Sequence, residues 1–450
     1  MNKKGEKGRI FIFLKANKYF NEAKSYFNFS WVIVITSFIT LALAYGAAWY
    51  SFSVFFVVLL KEFNWSRSIA AGGFSVFMII HGIMCPFAGG MVDRFGPRIV
   101  FLLGSLILGA GLTLCSLIHY WWEFYIFFGL LTAAGVGLIG WASNTTVIQQ
   151  WFKEKRGLPI GIISSGIGIG IFVCVPLIQH LINRVGWRMT YRIMALFIPL
   201  VVISMAIAFL KRPPQNIVPS HTTKKVLDNV IEDHIVVNEI WTSRSWTVRE
   251  AATTKQFWLL SISFFLGSFT TNSIFSHHVA FFIDRGLKAL FASYIAGMIG
   301  IVSIVAKIFW GILSDKIGRE ITYTIGMACF ICGLIFLIVF TYFTYSSIPY
   351  VYAISFGFGY SVVTALPPLI AADFFQGRAY GSIFGTLLLL TNIGGAVGTW
   401  VTGYLYDQTR SYILAFIIMV ACILFALVSI WMAAPRKIRV VPGRSMSYRL

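Results

Sequence analysis

Long uninterrupted apolar runs, separated by short polar clusters, make up most of the chain. Two examples are FLLGSLILGAGLTLCSLI, starting at Phe101, and LAFIIMVACILFALVSIWMAA, starting at Leu414. Each run is close to the roughly 20 apolar residues that a helix needs to cross a bilayer. Continuous apolar runs indicate helices, because lipid offers backbone groups no hydrogen-bond partners. The pattern therefore predicts an all-α polytopic membrane protein.

Twelve such spans can be placed along the sequence, with one long polar linker at residues 211–255 between spans 6 and 7. This predicts a basic N-terminal segment (1–30), an N-terminal six-helix half (31–210), the linker, a C-terminal six-helix half (256–434) and a basic tail (435–450). The predicted spans are 31–60, 68–92, 98–119, 122–150, 157–183, 189–210, 256–283, 290–314, 320–343, 347–375, 380–406 and 411–434.

The distribution of basic residues predicts how the chain is oriented in the membrane. A net charge of +20 would suggest nucleic-acid binding in a soluble protein, but 58% of this chain is hydrophobic and 12% is charged. With both termini on one side, 27 of the 36 Lys and Arg residues fall on that side and 8 on the other. Because basic residues concentrate in cytoplasmic loops, we expect a multi-pass protein of the cell (inner) membrane with both termini cytoplasmic and no nucleic-acid partner.

An internal repeat relates the two predicted halves. The stretch GGMVDRFGPR, from Gly89, resembles GILSDKIGRE, from Gly311, at an offset of 222 positions. The same offset relates Gly135 to Gly357 and Arg188 to Arg410. A shared offset in separate regions indicates two halves that arose by duplication. Parallel halves of this kind are a transporter architecture with the substrate site between them near the midplane.

The repeated loops carry a candidate conformational latch. Glycine permits a tight turn at the helix end, and the adjacent Asp and Arg or Lys can pair with the neighbouring helix bundle in one conformation and release it in the other. The alternative is a solvated loop whose charges have no special use. The candidate latch residues are Gly89, Asp93, Arg94, Gly96, Arg98, Gly311, Asp315, Lys316, Gly318 and Arg319.

Twelve spans with G-x-x-x-D-R-x-G-x-R after the second and G-x-x-x-D-K-x-G-R after the eighth resemble the major facilitator superfamily. The resemblance covers Trp31 to Trp431 and implies two halves that rock around a central cavity. The stretches YSFSVFFVVLLKEFNWSRS, RGLPIGIISSGIGIGIFVCVPL and IVAKIFWGILSDKIGR further resemble its bacterial monocarboxylate transporter-like and oxalate:formate antiporter-like branch.

That branch typically carries an arginine on helix 8 that pairs with the substrate carboxylate, and Lys307 occupies its place. Lysine lacks the planar fork of arginine, so we expect a different selectivity. Ser303 stands where eukaryotic monocarboxylate transporters have an aspartate, so their proton-coupling ion pair does not carry over. Drug-exporting relatives have Gly-Pro in helix 5, whereas Pro176 follows Val175 here.

Lys307 also stands out without any resemblance. It lies eight residues before Asp315, which is roughly 12 Å along a helix and close to the middle of a bilayer about 30 Å thick. A charge there costs roughly 2.5–3.5 kcal/mol, and no Asp or Glu falls at that depth. We expect the missing anion to be the substrate; alternatively, Lys307 is neutral, snorkels or binds backbone carbonyls.

Other polar residues on the predicted helices are candidate substrate or proton sites. His277 lies where the resembling branch often has a histidine, and the repeat places His81 across the cavity from the helix that carries Lys307. For all of them the alternative is a packed side chain with an interhelical hydrogen bond. The remaining candidates are Tyr45, Tyr50, Asn144, Asn272, Tyr360 and Asn392.

These features predict a secondary active transporter that moves a small organic anion, a mono- or dicarboxylate, by proton symport or anion exchange. Its partners are the anion, protons and the bilayer, and it is expected to act as a monomer. No catalytic, metal, nucleotide or cofactor motif is recognisable, so an enzyme is not expected. The alternatives are an exporter of drugs or other small molecules and a non-transporting membrane sensor that signals through the linker.

Overall fold

The computed structural model describes residues 29–152, 157–212, 237–375 and 379–439. Within these ranges it is an all-helical bundle with twelve transmembrane helices in two pseudo-symmetric halves of six. The predicted spans are therefore confirmed, with ends shifted by a few residues. The helices are α1 (Phe29–Phe63), α2 (Arg67–Phe95), α3 (Pro97–Cys115), α4 (Trp121–Trp151), α5 (Leu158–Val185), α6 (Trp187–Phe209), α7 (Lys255–Asp284), α8 (Ala289–Ile317), α9 (Arg319–Tyr342), α10 (Ile348–Phe375), α11 (Tyr380–Thr409) and α12 (Ile413–Lys437).

The bundle has two distinct ends. We call the end where α1 begins and α12 ends the linker end, because α6 ends and α7 begins there as well. Two short linker helices, Glu239–Thr242 and Val248–Ala252, precede α7. The Trp241 indole N–H donates to the Phe374 carbonyl oxygen at 2.8 Å, which fixes this part of the linker on α10. The predicted basic N-terminal segment, apart from its last two residues, and the tail beyond residue 439 lie outside the described residues.

The repeated loops form tight corners at the linker end. Gly96 ends α2 with φ of +88°, and Gly318 ends α8 with φ of +103°. Side chains with a Cβ rarely adopt this backbone conformation, so the repeated glycine is explained by the turn itself. Pro97 then opens α3 at a position where its missing N–H leaves no helical hydrogen bond unmade.

Close contact between the halves occurs along two seams, α2 against α11 and α5 against α8. On the α5–α8 seam, a Cβ built on Gly168 would lie 2.6 Å from the Gly300 carbonyl oxygen. On the α2–α11 seam, a Cβ on Gly82 would lie 2.9 Å from the Cβ of Asn392. Glycine thus permits the helix backbones to approach closely in the bilayer.

Both seams open toward the linker end. Beyond the last contacts, no heavy atom of the described residues lies within 4 Å of a Cβ added to Gly161, Gly311, Gly381 or Gly385. Toward the opposite end, the Ser75 hydroxyl donates to the Ala396 carbonyl oxygen at 2.7 Å, so α2 and α11 remain joined. The two halves therefore enclose a cleft that opens at the linker end and is closed at the opposite end.

Candidate functional site

Lys307 lies on the face of α8 that meets the other half. Gly297, Gly300 and Ile304 contact α5, and Lys307 and Gly311 continue the same stripe at alternating steps of three and four residues. Such steps keep side chains on one face of a helix. Because α5 and α8 separate after Ile304, Lys307 lies one turn into the cleft. It is near the point where the two halves meet, which we call the apex of the cleft.

The ammonium group of Lys307 has aromatic rather than acidic surroundings. Its Nζ lies 5.9 Å from the ring centroid of Tyr360 on α10, at the outer limit of a cation–π contact. Among the described residues, no hydrogen bond or carboxylate contact is formed by this amine. Within the part of the chain that the structure describes, the buried Tyr360 hydroxyl makes no hydrogen bond. A cation therefore lies near the ring of a tyrosine whose hydroxyl is unused in this part of the structure.

An aromatic layer connects this pair to α1. The ring centroids of Tyr360 and Phe275 are 5.0 Å apart, and those of Phe275 and Tyr50 are 4.7 Å apart. Tyr50 ends a π-helical stretch of α1, Ala42–Tyr50, where the wider turns alter the direction of the side chains. The closed end beyond the apex is thus lined by aromatic rings contributed by α1, α7 and α10.

His81 and Tyr45 form a second polar cluster. The Tyr45 hydroxyl lies 3.1 Å from His81 Nε2 and accepts from the Trp141 backbone N–H at 3.2 Å. His81 is buried next to Gly82. At Gly82, α2 contacts Asn392 of α11, and the two helices separate beyond this point. The repeat offset of 222 positions relates Lys307 to Cys85, so this cluster lies one helical turn from the point of its seam that is equivalent to Lys307.

His277 is not brought to Lys307. Its Nδ1 lies 3.2 Å from the Tyr412 hydroxyl and its Nε2 lies 3.0 Å from the Thr399 carbonyl oxygen, so both ring nitrogens have partners within the C-terminal half. Two predicted asparagines also bind their own helices: Asn144 donates to the Ile139 and Gly140 carbonyl oxygens, and Asn272 donates to the Ser268 carbonyl and hydroxyl oxygens.

The candidate latch residues at the linker end contact their own halves in this conformation. Asp93 accepts from the Gln150 side-chain amide at 2.8 Å, and Arg98 donates to the Ile207 carbonyl oxygen at 2.6 Å. In the C-terminal half, Arg319 binds Asp315 at 2.7 Å and Asp373 at 3.0 Å. Arg94 and Lys316 are exposed.

One charged cluster was not predicted from the sequence. At the end opposite the linker, Arg67 of α2 binds Asp284 of α7 at 2.6 Å and also donates to the Tyr412 hydroxyl. The backbone N–H groups of Arg67 and Ser68 donate to the two carboxylate oxygens of Asp407 at 2.9 and 2.8 Å. Only proximity in the fold joins residues so distant in sequence, so no sequence signal could have revealed them.

The profile of the Major Facilitator Superfamily matches residues 37–399, which is most of the chain. The protein belongs to the major facilitator superfamily. Its relatives and fold are those of transporters, and it is a multi-pass membrane protein.

Several characterised and uncharacterised members of the superfamily are similar over most of the chain. The uncharacterized MFS-type transporter YcxA of Bacillus subtilis (strain 168) is 24% identical over 404 residues, covering 88% of this chain and 92% of that protein. The oxalate:formate antiporter of Oxalobacter formigenes is 26% identical, with coverages of 85% and 89%. Monocarboxylate transporter 13 of Rattus norvegicus is 24% identical, with coverages of 88% and 86%.

Solved structures show the same fold at lower identity. A crystal structure of the nucleoside transporter NupG aligns with a TM-score of 0.69 at 13% identity, covering 90% of this chain and all of that one. A bacterial homologue of the human drug peptide transporters PepT1 and PepT2 aligns with a TM-score of 0.66 at 14% identity, covering 90% of this chain and 99% of that one. At these identities the likeness concerns the fold alone.

Proposed function

We propose that this protein is a secondary active transporter for a small organic anion, a mono- or dicarboxylate, and that Lys307 binds the carboxylate. The observation that carries the proposal is the ammonium group near the cleft apex, which has no carboxylate partner among the described residues. A desolvated charge without a partner is costly. An anionic cargo would remove that cost, and Tyr360, whose ring lies 5.9 Å from the ammonium group, could donate a hydrogen bond from its hydroxyl to the same carboxylate.

The relatives support this substrate class. The similar proteins include one named as an oxalate:formate antiporter and several named as monocarboxylate transporters. The helix 8 position of Lys307 is the one where the resembling branch typically binds carboxylate. On the basic-residue distribution, the linker end faces the cytoplasm, so the open cleft would give access from the cytoplasm in this conformation.

We favour anion exchange over proton symport. Proton coupling needs a group that releases a proton close to the substrate, and Ser303 replaces the aspartate found in eukaryotic relatives. Of the two histidines predicted for this task, His277 uses both ring nitrogens in contacts away from Lys307. The other, His81, lies on the opposite seam with its Nε2 3.1 Å from the Tyr45 hydroxyl. An unneutralised cation in the empty cleft would oppose its reorientation, so loaded carriers would cross the membrane more readily than empty ones.

Counterflow in proteoliposomes tests the proposal. Purified protein should take up labelled carboxylate against a preload of unlabelled carboxylate, with a panel of mono- and dicarboxylates at two pH values. Lys307→Gln, which is uncharged and of similar length, should abolish saturable counterflow, and Lys307→Arg should retain it with altered preference.

Unchanged uptake and affinity in Lys307→Gln would refute the role of the lysine. Binding without flux in the wild type would instead identify a sensor. Preferential counterflow of neutral or cationic compounds would indicate an exporter of another substrate class.

A further inference from the structure

The cluster opposite the linker connects the two halves through the first two residues of α2, Arg67 and Ser68. Arg67 belongs to the N-terminal half, and its charged and aromatic partners, Asp284, Asp407, Tyr406 and Tyr412, all belong to the C-terminal half. Its side chain is only 11% exposed although it is charged. These contacts cannot persist if the halves separate at this end.

Two independent sets of interactions form the cluster. In the first, the Asp407 carboxylate accepts both N–H groups at the start of α2, which have no partner within the helix, and it meets the positive end of the helix dipole. In the second, the Arg67 guanidinium binds Asp284 and Tyr412 and stacks 3.7 Å from the Tyr406 ring centroid. The first set does not require the arginine side chain.

His277 fixes which groups donate and which accept in the hydrogen bonds of the second set. The Thr399 carbonyl can only accept, so His277 Nε2 carries the hydrogen and Nδ1 of the neutral ring accepts from the Tyr412 hydroxyl. The Tyr412 oxygen is then free to accept from Arg67. His277 therefore acts as a positioning residue for this cluster and does not contact the candidate substrate site.

The internal repeat provides a comparison within the same molecule. At the positions equivalent to Arg67 and Asp407, the α5–α8 seam has Ala289 and Val185, and no side chain of a described residue caps the start of α8. This seam is nevertheless closed, since a Cβ on Gly297 would lie 3.1 Å from the Phe172 carbonyl oxygen. Helix packing alone can close a seam of this fold, so the cluster is additional to what the architecture requires.

We propose that Arg67, Asp284, Asp407 and Tyr412 form a gate that holds the cleft closed at the end opposite the linker. The gate biases the protein toward the conformation whose site is accessible from the linker end. Its breakage is a required step whenever the cleft opens to the other side. This inference concerns the conformational equilibrium and holds whatever the charge of the cargo.

Distance measurements between spin labels test the gate. The full-length chain, with its six cysteines replaced by serine, receives His119→Cys and Ser346→Cys, which place labels on exposed loops of the two halves at the gated end. In lipid nanodiscs, Arg67→Gln and Asp407→Asn should each raise the ratio of long to short distances about tenfold or more, as expected for lost charged hydrogen bonds.

A matched control comes from the same end of the bundle. Arg188→Gln removes an ion pair with Glu62, 2.8 Å long, that lies within the N-terminal half, and it should leave the distance distribution unchanged. Distributions for Arg67→Gln and Asp407→Asn that superimpose on that of Arg188→Gln would overturn the proposal.

Double variants separate a gate from a general loss of stability. Arg67→Gln and Asp284→Asn remove the same contact. The double variant should therefore change the free energy of opening, obtained from the ratio of long to short distances, by clearly less than the sum of the two single variants. Arg67→Gln and Asp407→Asn act on separate sets and should approach additivity. His277→Gln keeps a donor and an acceptor and should stay close to wild type, whereas His277→Ala should shift toward the long distance. The opposite pattern of additivity, or equal behaviour of the two His277 variants, would contradict the assignment.

Discussion

At the residue scale, two buried tyrosines on one helix are chemically alike and differ in position. Tyr352 and Tyr360 both lie on α10, and neither hydroxyl makes a hydrogen bond within the described part of the chain. Tyr360 lies beside Lys307, whereas Tyr352 packs against Phe282 with ring centroids 5.5 Å apart. An unpartnered buried hydroxyl carries a desolvation cost, and only at Tyr360 does the proposed carboxylate offer a partner.

We therefore expect Tyr360→Phe to raise the KM for anion counterflow by about tenfold, the order expected for a lost hydrogen bond to a charged group. Its thermal unfolding temperature should be unchanged or higher, because no described residue makes a hydrogen bond to this hydroxyl. Tyr352→Phe is the matched control and should leave both KM and stability near wild type. An equal effect of the two substitutions on KM would show that Tyr360 does not contact the cargo.

At the scale of helix pairs, glycines occupy the positions at which the contacts of each seam would continue toward the linker end. Two turns from Ile304 along α8 is Gly311, and two turns back along α5 from Gly168 is Gly161. On the other seam, Gly89 and Gly385 stand in the same relation to Gly82 and Asn392. Among the described ranges, no heavy atom lies within 4 Å of a Cβ built on Gly161, Gly311 or Gly385, so we expect these glycines to become contacts when the linker end closes.

Gly311→Leu should therefore be tolerated in the present conformation and obstruct the other one. We predict that it retains substrate binding from the linker end, measured by calorimetry on purified protein, and loses counterflow by tenfold or more. Gly300→Ala is the contrasting variant, because its Cβ would lie 2.4 Å from the Gly168 carbonyl oxygen and should disturb the present conformation. Normal counterflow in Gly311→Leu would mean that α5 and α8 do not approach at this level.

At the scale of the whole molecule, one cation in the cleft has consequences for transport. With a monovalent anion bound to Lys307, the site is neutral when loaded and positive when empty. Moving one elementary charge across the membrane costs or yields roughly 2.3 kcal/mol per 100 mV. Exchange should therefore be insensitive to membrane potential, whereas net movement of the same anion should depend on it.

Proteoliposomes with a defined potassium gradient and valinomycin allow this comparison. We expect counterflow of a monocarboxylate to exceed its net efflux by at least tenfold, and only the net efflux should respond to the imposed potential. Proton symport gives the contrasting result: net flux driven by a pH gradient, at rates similar to exchange and without dependence on the potential. That outcome would leave the anion assignment intact and reject exchange.

The sequence by itself determined the fold. Twelve apolar spans, one long linker and a repeat offset of 222 positions are local or periodic properties, because in lipid each apolar run must satisfy its own backbone as a helix. Lys307 could be selected for the same reason, since the depth of a charge follows from counting residues along one helix. The repeat also located His81 on the equivalent seam.

Only the tertiary structure decided which side chains meet. It separated His277 from Lys307 and joined it to Tyr412, and it brought Arg67 against Asp407 across 340 positions of sequence. Which end of the cleft is closed was also beyond the sequence, because the same glycine pattern serves both ends of each seam. These features depend on contacts between helices, and a helix pattern in the sequence carries no information about which partner its faces will touch.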